Sequence, residues 1–253
     1  MLLCPAVPPA HPDPLAIFAP DLYRGRVALV TGGGRGLGRS IALGFARLGA
    51  DVVIASRDPK NLEPTRDEIE AAGARCLAVP TNIREIAEVE RLVAAAVERF
   101  GAIDFLVNNA GGQFPARPTE ISDRGWRSVV DLNLNGTWNM CNRVGRAMVE
   151  RGSGSIVNIV HIYSFERGSP PFAHSGAARA GVVNLTKTLA YHWAHRGVTV
   201  NALAPGTCST SGVREEEFAH SELADYEQIA VGDIPTHRLG EADEVAAITL
   251  FLC

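Results

Sequence analysis

The chain has 253 residues, of which 46% are hydrophobic and 21% are charged, and its formal net charge is -4. Such a chain is long enough for one globular domain with a full core, and its charge provides no basic field for nucleic acid. No apolar run reaches the roughly 18 residues that span a membrane. The five cysteines form neither a CxxC pair nor a Cys/His cluster. We therefore expect a cytoplasmic protein with reduced thiols, no metal, no nucleic-acid partner and no membrane span.

The first 20 residues differ in composition from the rest of the chain. They contain six prolines and no basic stretch before an apolar segment. Prolines at this density prevent a continuous helix, and the missing basic stretch argues against a signal peptide. The sequence predicts an irregular Pro-rich arm over residues 1–20 and a single domain over residues 21–253.

From residue 26 onward, short apolar runs alternate with amphipathic segments. The predicted strands are RVALVTGG, DVVIASR, RCLAVP, DFLVNNAG, SIVNIV and VTVNALAPG. The predicted helices run to about Gly49, over 59–72, about 84–99, about 122–150 with a break near Asn135 and Gly136, 173–195, and through ADEVAAITLFLC. This alternation is typical of a parallel sheet covered on both faces, which predicts a doubly wound, three-layer α/β/α Rossmann fold. The polar segment 207–237 follows the sixth strand and is expected to form a substrate loop.

A glycine-rich loop, TGGGRGLG, joins the first strand to the first helix. Glycines permit a tight turn there and let backbone N–H groups approach a pyrophosphate at the helix N-terminus. The alternative is an ordinary strand–helix turn. The residues predicted to contact a dinucleotide here are Thr31, Gly32, Gly34, Arg35, Gly36, Leu37 and Gly38.

The second strand ends at Ser56 and Arg57, where a site selective for NAD usually carries an acid for the ribose hydroxyls. Arg57 and Arg35 instead suit a 2′-phosphate, because guanidinium groups pair with phosphate through charge and paired donors. This pattern predicts NADPH in preference to NADH. The alternative is that Arg57 merely starts a solvated helix.

With TGGGRGLG, NNAG at 108–111 and APG at 204–206, residues 25 to 252 resemble the short-chain dehydrogenase/reductase family. The resemblance implies an NAD(P)-dependent oxidoreductase. It also implies further cofactor contacts, by Asn82, Ile83, Asn109, Ala110, Gly111, Pro205, Gly206 and Thr207. The family usually has Asp where this chain has Asn82.

The family's four catalytic residues are an Asn, a Ser, and the Tyr and Lys of a YxxxK motif. Asn133, in DLNLNGTW, matches the Asn. His161 stands at the Ser position, and HSGAARAGV places Ser175 at the Tyr position and Arg179 at the Lys position. Three of the four positions therefore differ, and the chemistry has either moved or been lost.

Local segments resemble two subgroups that act on acyl-CoA thioesters. GGQF, SIVNIV and VNLTK resemble peroxisomal trans-2-enoyl-CoA reductases, and HIYSFERGS resembles a loop of 2,4-dienoyl-CoA reductases. The second resemblance implies that Tyr163 is the proton donor, with a free pKa of about 10. The alternative is a Tyr packed at the strand end. Lys187 of VNLTK is expected near the site or at the surface.

The other candidate roles follow from the chemistry of enolate stabilisation. Arg179 either holds the nicotinamide ribose or pairs with an acid on a helix surface. Asn133 either binds a backbone carbonyl and a relay water or bends its helix. His161 either donates to the substrate oxygen, titrates near pH 6.5 or is structural. His174 and Ser175 are expected at the mouth of the site, unless Ser175 caps its helix.

These patterns predict a reductase of trans-2-enoyl-CoA or 2,4-dienoyl-CoA thioesters. The alternatives are a carbonyl reductase or alcohol dehydrogenase, such as a 3-oxoacyl reductase, and an inactive NADP-binding protein. The resemblance also implies a homo-oligomer, a dimer or a tetramer. Relatives continue into a seventh strand, which predicts an unpaired sheet edge here.

Overall fold

The computed structural model describes residues 13–165, 168, 170–210 and 234–253. A six-stranded sheet with the order β3-β2-β1-β4-β5-β6 forms its centre, and all paired neighbours are parallel. The strands are β1 Val27–Thr31, β2 Asp51–Ser56, β3 Cys76–Pro80, β4 Phe105–Asn108, β5 Gly154–Ile159 and β6 Val198–Leu203. The doubly wound α/β prediction is confirmed.

Helices cover both faces of the sheet. They are α1 Gly36–Arg47, α2 Leu62–Ala71, α3 Ile86–Phe100, α4 Asp123–Val130, α5 Gly136–Arg151, α6 Ala173–Trp193 and α7 Ala242–Phe251. One apolar cluster joins α1, α2 and α7 to the sheet through residues such as Phe45 and Leu250. A second cluster joins α3, α5 and α6 to the opposite face through residues such as Leu92 and Met140. Strands β1, β2, β4 and β5 are buried almost throughout because helices cover both faces of the sheet there.

The order of the strands determines where a ligand can bind. β1 lies between β2 and β4, so the chain crosses to one side after β1 and to the other side after β4. Loops leaving the two strands in opposite directions open a crevice at their carboxyl ends, where doubly wound sheets bind their ligands.

The predicted break in the long helical region is a π-helical turn at Asp131–Asn135, between α4 and α5. Such turns insert a residue into the helical ladder and are frequent at functional sites. The turn buries Asn133.

Two predicted segments lie partly outside the described residues: the arm over residues 1–20 and the loop over 207–237. Within the arm, Pro14–Ile17 form a 3-10 turn whose Leu15 is buried in the cluster under α1 and α7. The division into arm and domain stays a prediction. On its outer side, β6 has no neighbouring strand within the described part of the chain. None of the described helices combines the length and apolar character needed to cross a bilayer.

Helix α1 approaches the sheet closely because Gly38 has no side chain. A Cβ on Gly38 would lie 2.1 Å from the Gly32 carbonyl oxygen and 2.5 Å from Asn109 Nδ2. The first contact is with backbone, which a rotamer change does not relieve. The glycine is therefore required for packing.

Gly38→Ala is expected to lower the free energy of unfolding by about 1–3 kcal/mol or more, because overpacking against backbone forces the helix outward. Gly176→Ala is the matched control: a Cβ there meets nothing within 4 Å, and alanine in a helix gains up to about 1 kcal/mol over glycine. Urea unfolding of both variants measures the effect. A free energy of unfolding that is equal in Gly38→Ala and wild type would contradict the packing role of Gly38.

Candidate functional site

A cleft of about 680 Å³ opens at the carboxyl ends of the strands. It brings together most of the residues that the sequence singles out. Those at its surface are Gly32, Gly34, Arg35, Gly36, Leu37, Ser56, Arg57, Ile83, Asn109, Ala110, Gly111, His161, Arg179, Pro205, Gly206 and Thr207. The described residues that line it do not include Thr31, Gly38, Asn82 or Asn133.

The glycine-rich loop forms one end of the cleft. Gly32 and Gly36 have positive φ values of 66° and 54°, so the chain turns into α1 through a conformation that favours glycine. No side-chain hydrogen bond caps the start of α1. The first-turn N–H groups and the helix dipole therefore suit a bound phosphate, and the loop fits the pyrophosphate of a nicotinamide dinucleotide.

Thr31 lies behind this loop and is fully buried. Its hydroxyl accepts hydrogen bonds from the backbone N–H groups of Asn109 at 3.1 Å and Ala110 at 3.0 Å. The Asn109 amide in turn donates to the carbonyl oxygens of Thr31 at 3.1 Å and Gly32 at 3.3 Å. This set of bonds, the Thr31–Asn109 clamp, holds the ends of β1 and β4 together. Thr31 and Gly38 thus shape the cleft from outside its surface.

The end of β2 places an exposed Arg57 at the cleft. The hydroxyl of Ser56 donates to the Asp58 carbonyl oxygen at 3.0 Å, and the Asp58 carboxylate accepts from the Lys60 N–H at 3.0 Å. Asp58 also lines the cleft, although the sequence reasoning did not single it out. Its carboxylate caps the turn after β2.

The side chain of Asn82 is engaged within its own turn, and its cofactor contact stays a prediction. Its side-chain oxygen accepts from the backbone N–H and the Nε of Arg84, at 3.3 and 3.0 Å. The amide therefore closes its own turn and does not line the cleft. Ile83, beside it, does line the cleft.

Asn133 is 2% exposed and supports the wall of the cleft. Its Nδ2 donates to the carbonyl oxygens of Gly112 at 2.8 Å and Val129 at 3.0 Å, while its Oδ1 accepts from the Gly112 N–H at 3.2 Å. Both amide protons are used, so the side chain positions the irregular segment that follows β4. Asn133 therefore binds backbone carbonyl oxygens, and its part in a proton relay stays a prediction.

Arg179 reaches from α6 to the end of β5. Its Nη1 donates to the Ile159 carbonyl oxygen at 2.6 Å. Its Nη2 lies against Gly111, where a Cβ would come within 2.2 Å. Arg179 lines the cleft instead of lying on an outer helix surface, so its permanent positive charge lies at the cleft wall.

His161 follows β5 and also lines the cleft. Burial, together with the nearby Arg179 cation, lowers the pKa of His161 to about 4. The expectation that it titrates near pH 6.5 is therefore wrong, because desolvation and a neighbouring positive charge both disfavour the imidazolium. At neutral pH His161 is a neutral donor or acceptor.

Tyr163 belongs to the 3-10 turn Ile162–Ser164, directly after β5. Its side chain lies outside the described part of the structure, so its proposed role stays a prediction. Ile162, which precedes it, lines the cleft.

His174 and Ser175 are placed differently from expectation. They are 0% and 1% exposed, and neither is among the described residues at the cleft surface. Ser175 does not cap α6 either, since Phe172 occupies the N-cap position. Both side chains are inside the fold because α6 begins before them and turns them inward. Lys187, twelve residues further along α6, is exposed.

The sequence reasoning missed several lining residues. Gln113 belongs to the GGQF segment, which overlaps NNAG at Gly111. Its closeness to these predicted cofactor contacts could have identified it as a lining residue. Thr210 lies 3.6 Å from a Cβ built on Gly36, and no pattern in the sequence indicated this contact. Asn108 and Asn158 are polar residues inside apolar strands, and their buried side chains form a hydrogen bond with each other.

No cluster of three or more His, Cys, Asp or Glu side chains suitable for a metal ion occurs in the described ranges. The cysteines that the structure describes are free. Burial raises the pKa of the Cys141 thiol to about 12, so this thiol is unreactive.

Comparison with known proteins agrees with this geometry. Residues 26–220 match the short chain dehydrogenase family. The chain is 35% identical over 238 residues to the peroxisomal 2,4-dienoyl-CoA reductase of Danio rerio, and the alignment covers 93% of this chain and 78% of that protein. It is 36% identical over 226 residues to a 3-oxoacyl-acyl-carrier-protein reductase of Staphylococcus epidermidis, covering 89% and 90%.

Among solved structures, a variant of an actinorhodin polyketide ketoreductase with NADPH superposes with a TM-score of 0.84 at 35% identity, covering 90% of this chain and 89% of that one. The family match, the relatives and the architecture agree with the resemblance carried by TGGGRGLG and NNAG. The chain belongs to the short-chain dehydrogenase family and is an NAD(P)-dependent oxidoreductase.

Proposed function

We propose that this protein is an NADPH-dependent reductase of trans-2-enoyl-CoA or 2,4-dienoyl-CoA thioesters. The observation that carries the proposal is one cleft with a phosphate-binding end at α1 and Arg57 and a reactive end at His161 and Arg179. The similarity to a peroxisomal 2,4-dienoyl-CoA reductase supports the substrate class. A homo-oligomeric state and a cytoplasmic location stay predictions.

The phosphate-binding end favours the phosphorylated cofactor. Arg57 and Arg35 both line the cleft beside the end of β2, where the adenosine ribose of a dinucleotide lies in this fold. Two guanidinium groups there suit a 2′-phosphate. Ala110, Gly111, Pro205, Gly206 and Thr207 would hold the remainder of the cofactor, which when bound supplies the hydride.

Arg57→Ala is expected to raise the KM for NADPH about 10-fold, the loss of roughly one charge-assisted hydrogen bond, and to change the KM for NADH little. Arg66→Ala is the matched control, since Arg66 pairs with Asp67 on α2 away from the cleft. Steady-state kinetics with both cofactors measure the difference. An equal loss with both cofactors would argue against 2′-phosphate recognition.

At the reactive end, the chain must stabilise the negative charge that develops on the thioester oxygen. Arg179 supplies a permanent positive charge whose position is determined by its bond to the Ile159 carbonyl. His161 supplies a neutral imidazole. Neither group delivers a proton readily at neutral pH, because the first never deprotonates and the second is already neutral. We assign the proton to Tyr163, the phenol of the turn after β5.

The first experiment measures NADPH oxidation with a medium-chain trans-2-enoyl-CoA, a 2,4-dienoyl-CoA and a 3-oxoacyl-CoA. Turnover of the unsaturated thioesters is expected, and Tyr163→Phe should lower their kcat by about 100-fold or more, the usual scale of an acid–base residue. Tyr191→Phe, on a side chain that is 84% exposed, controls for the loss of a phenol. Wild-type activity in Tyr163→Phe would remove Tyr163 from the mechanism.

A second candidate function is carbonyl reduction, favoured by the 36% identity to a 3-oxoacyl-acyl-carrier-protein reductase. The same hydride geometry serves a ketone, with the oxygen accepting the proton in place of the α-carbon. Turnover of the 3-oxoacyl thioester alone would select this function. Tight NADPH binding without turnover of any of the three would select the inactive NADP-binding protein.

The depressed pKa of His161 has a consequence for stability. The folded value is about 4, whereas an unfolded His has a pKa of about 6.5. Between these values the unfolded chain binds the extra proton, so the free energy of unfolding falls as the pH drops from about 6.5 to about 4.

His161→Gln is expected to flatten this part of the pH–stability curve. Urea unfolding at several pH values tests this. In wild type, kcat/KM should show no ionisation of His161 between about pH 6 and 8. An unchanged slope in His161→Gln would contradict the assignment.

A further inference from the structure

The glycine-rich loop rests on helix α2 as well as on α1. Gly34 packs against the turn before α2, where a Cβ would lie 2.4 Å from the Asn61 carbonyl oxygen and 2.7 Å from the Asn61 carbonyl carbon. Gly34 and Asn61 both line the cleft. A displacement of α2 would therefore displace the part of the loop that faces a bound dinucleotide.

Thr65 of α2 forms a hydrogen bond with this part of the loop. It is 0% exposed, and its Oγ1 donates to the Gly34 carbonyl oxygen at 3.1 Å. Serine and threonine hydroxyls inside helices commonly bond the carbonyl four residues earlier. The threonines of the described helices that do so here are Thr137, Thr186, Thr188 and Thr249. Thr65 instead reaches across the fold to a loop 31 residues earlier in the chain.

The direction of the Gly34 carbonyl determines the direction of the next N–H group. In a trans peptide, the C=O of one residue and the N–H of the following residue point in opposite directions. Because Thr65 holds the Gly34 carbonyl on the side of α2, the backbone N–H of Arg35 points away from α2. Arg35 lines the cleft and occupies the N-cap position of α1. The oriented peptide therefore lies where a helix N-terminus receives a phosphate.

We propose that Thr65 is a positioning residue for the pyrophosphate of the cofactor, and that it acts through the peptide between Gly34 and Arg35. Thr65 is not among the described residues that line the cleft, so its influence on a ligand passes through the loop. The inference depends on the NAD(P) dependence of the family, and neither on the thioester substrate nor on the preference for NADPH. Because NADPH and NADH share the pyrophosphate, both are affected equally.

A neighbouring ion pair contributes less to this positioning. Arg39, in the first turn of α1, donates from Nε to Glu68 Oε1 at 3.2 Å, and Glu68 lies one turn after Thr65 on α2. Both side chains of the pair are 41% exposed, and exposed ion pairs stabilise a structure little. The pair holds α1 beside α2, whereas the buried bond of Thr65 is made to the loop backbone itself.

Thr65→Val removes the hydroxyl and keeps the shape of the side chain. The Kd values for NADPH and for NADH are each expected to rise about 10-fold, the scale of one lost hydrogen bond that orients a charged ligand's donors. Thr65→Ser keeps the hydroxyl and is expected to bind both cofactors like wild type. Isothermal titration calorimetry with each cofactor measures these constants, and thermal unfolding confirms that each variant is folded.

Thr249→Val is the matched control. Thr249 is also 0% exposed, and its hydroxyl donates to the Val245 carbonyl oxygen at 2.8 Å within α7. It is not among the described residues that line the cleft. This variant therefore loses a buried threonine hydroxyl without any change at the loop, and its Kd values are expected to equal those of wild type. Thr65→Ala repeats the test with a smaller side chain, in case valine disturbs the packing of α2.

Three results would overturn the proposal. Wild-type Kd values in folded Thr65→Val or Thr65→Ala would show that the bond does not position the pyrophosphate. Equal weakening in Thr65→Ser and Thr65→Val would assign the effect to packing instead of the hydroxyl. A loss confined to NADPH would place the effect at the 2′-phosphate. A wild type that prefers NADH would instead contradict the proposed cofactor preference, while the comparison of the Thr65 variants with NADH would still decide this inference.

Discussion

The Thr31–Asn109 clamp is the constraint on which the site depends. It joins β1 to β4 at the point where the chain crosses to opposite sides of the sheet. Gly38 then lets α1 approach the Gly32 carbonyl and Asn109 directly. A looser junction would move the N-terminus of α1 away from the strand ends, and the phosphate-binding end of the cleft would no longer face its reactive end.

A second buried network positions that reactive end. Asn108 on β4 donates to Asn158 on β5 at 2.8 Å, and Asn158 donates to Thr186 on α6 at 2.9 Å. The network thereby holds β4, β5 and α6 together near the segments that contribute Gly111, His161 and Arg179 to the cleft. Paired polar side chains inside a core favour one arrangement, because a shift of either strand would break their hydrogen bonds.

The electrostatics at the end of β5 follow from the permanent charge of Arg179. The guanidinium of Arg179 stays charged, bonds the Ile159 carbonyl and lowers the pKa of His161. The region therefore has a fixed positive charge and, at neutral pH, the neutral imidazole of His161, which suits stabilisation of a developing oxyanion. It leaves the proton to a group outside this pair, consistent with a phenol in the following turn.

The sequence by itself determined the fold class, the order of strands and helices, and the phosphate loop, because these depend on periodicity and on glycines within one short segment. It also indicated Arg57, Gly111 and Arg179 as residues of one site. The tertiary structure decided what each polar side chain contacts. Asn82 closes its own turn, Asn133 holds Gly112, and His174 and Ser175 are buried in the first turn of α6. Burial and hydrogen-bond satisfaction depend on which segments meet across the fold, and a linear pattern does not contain that information.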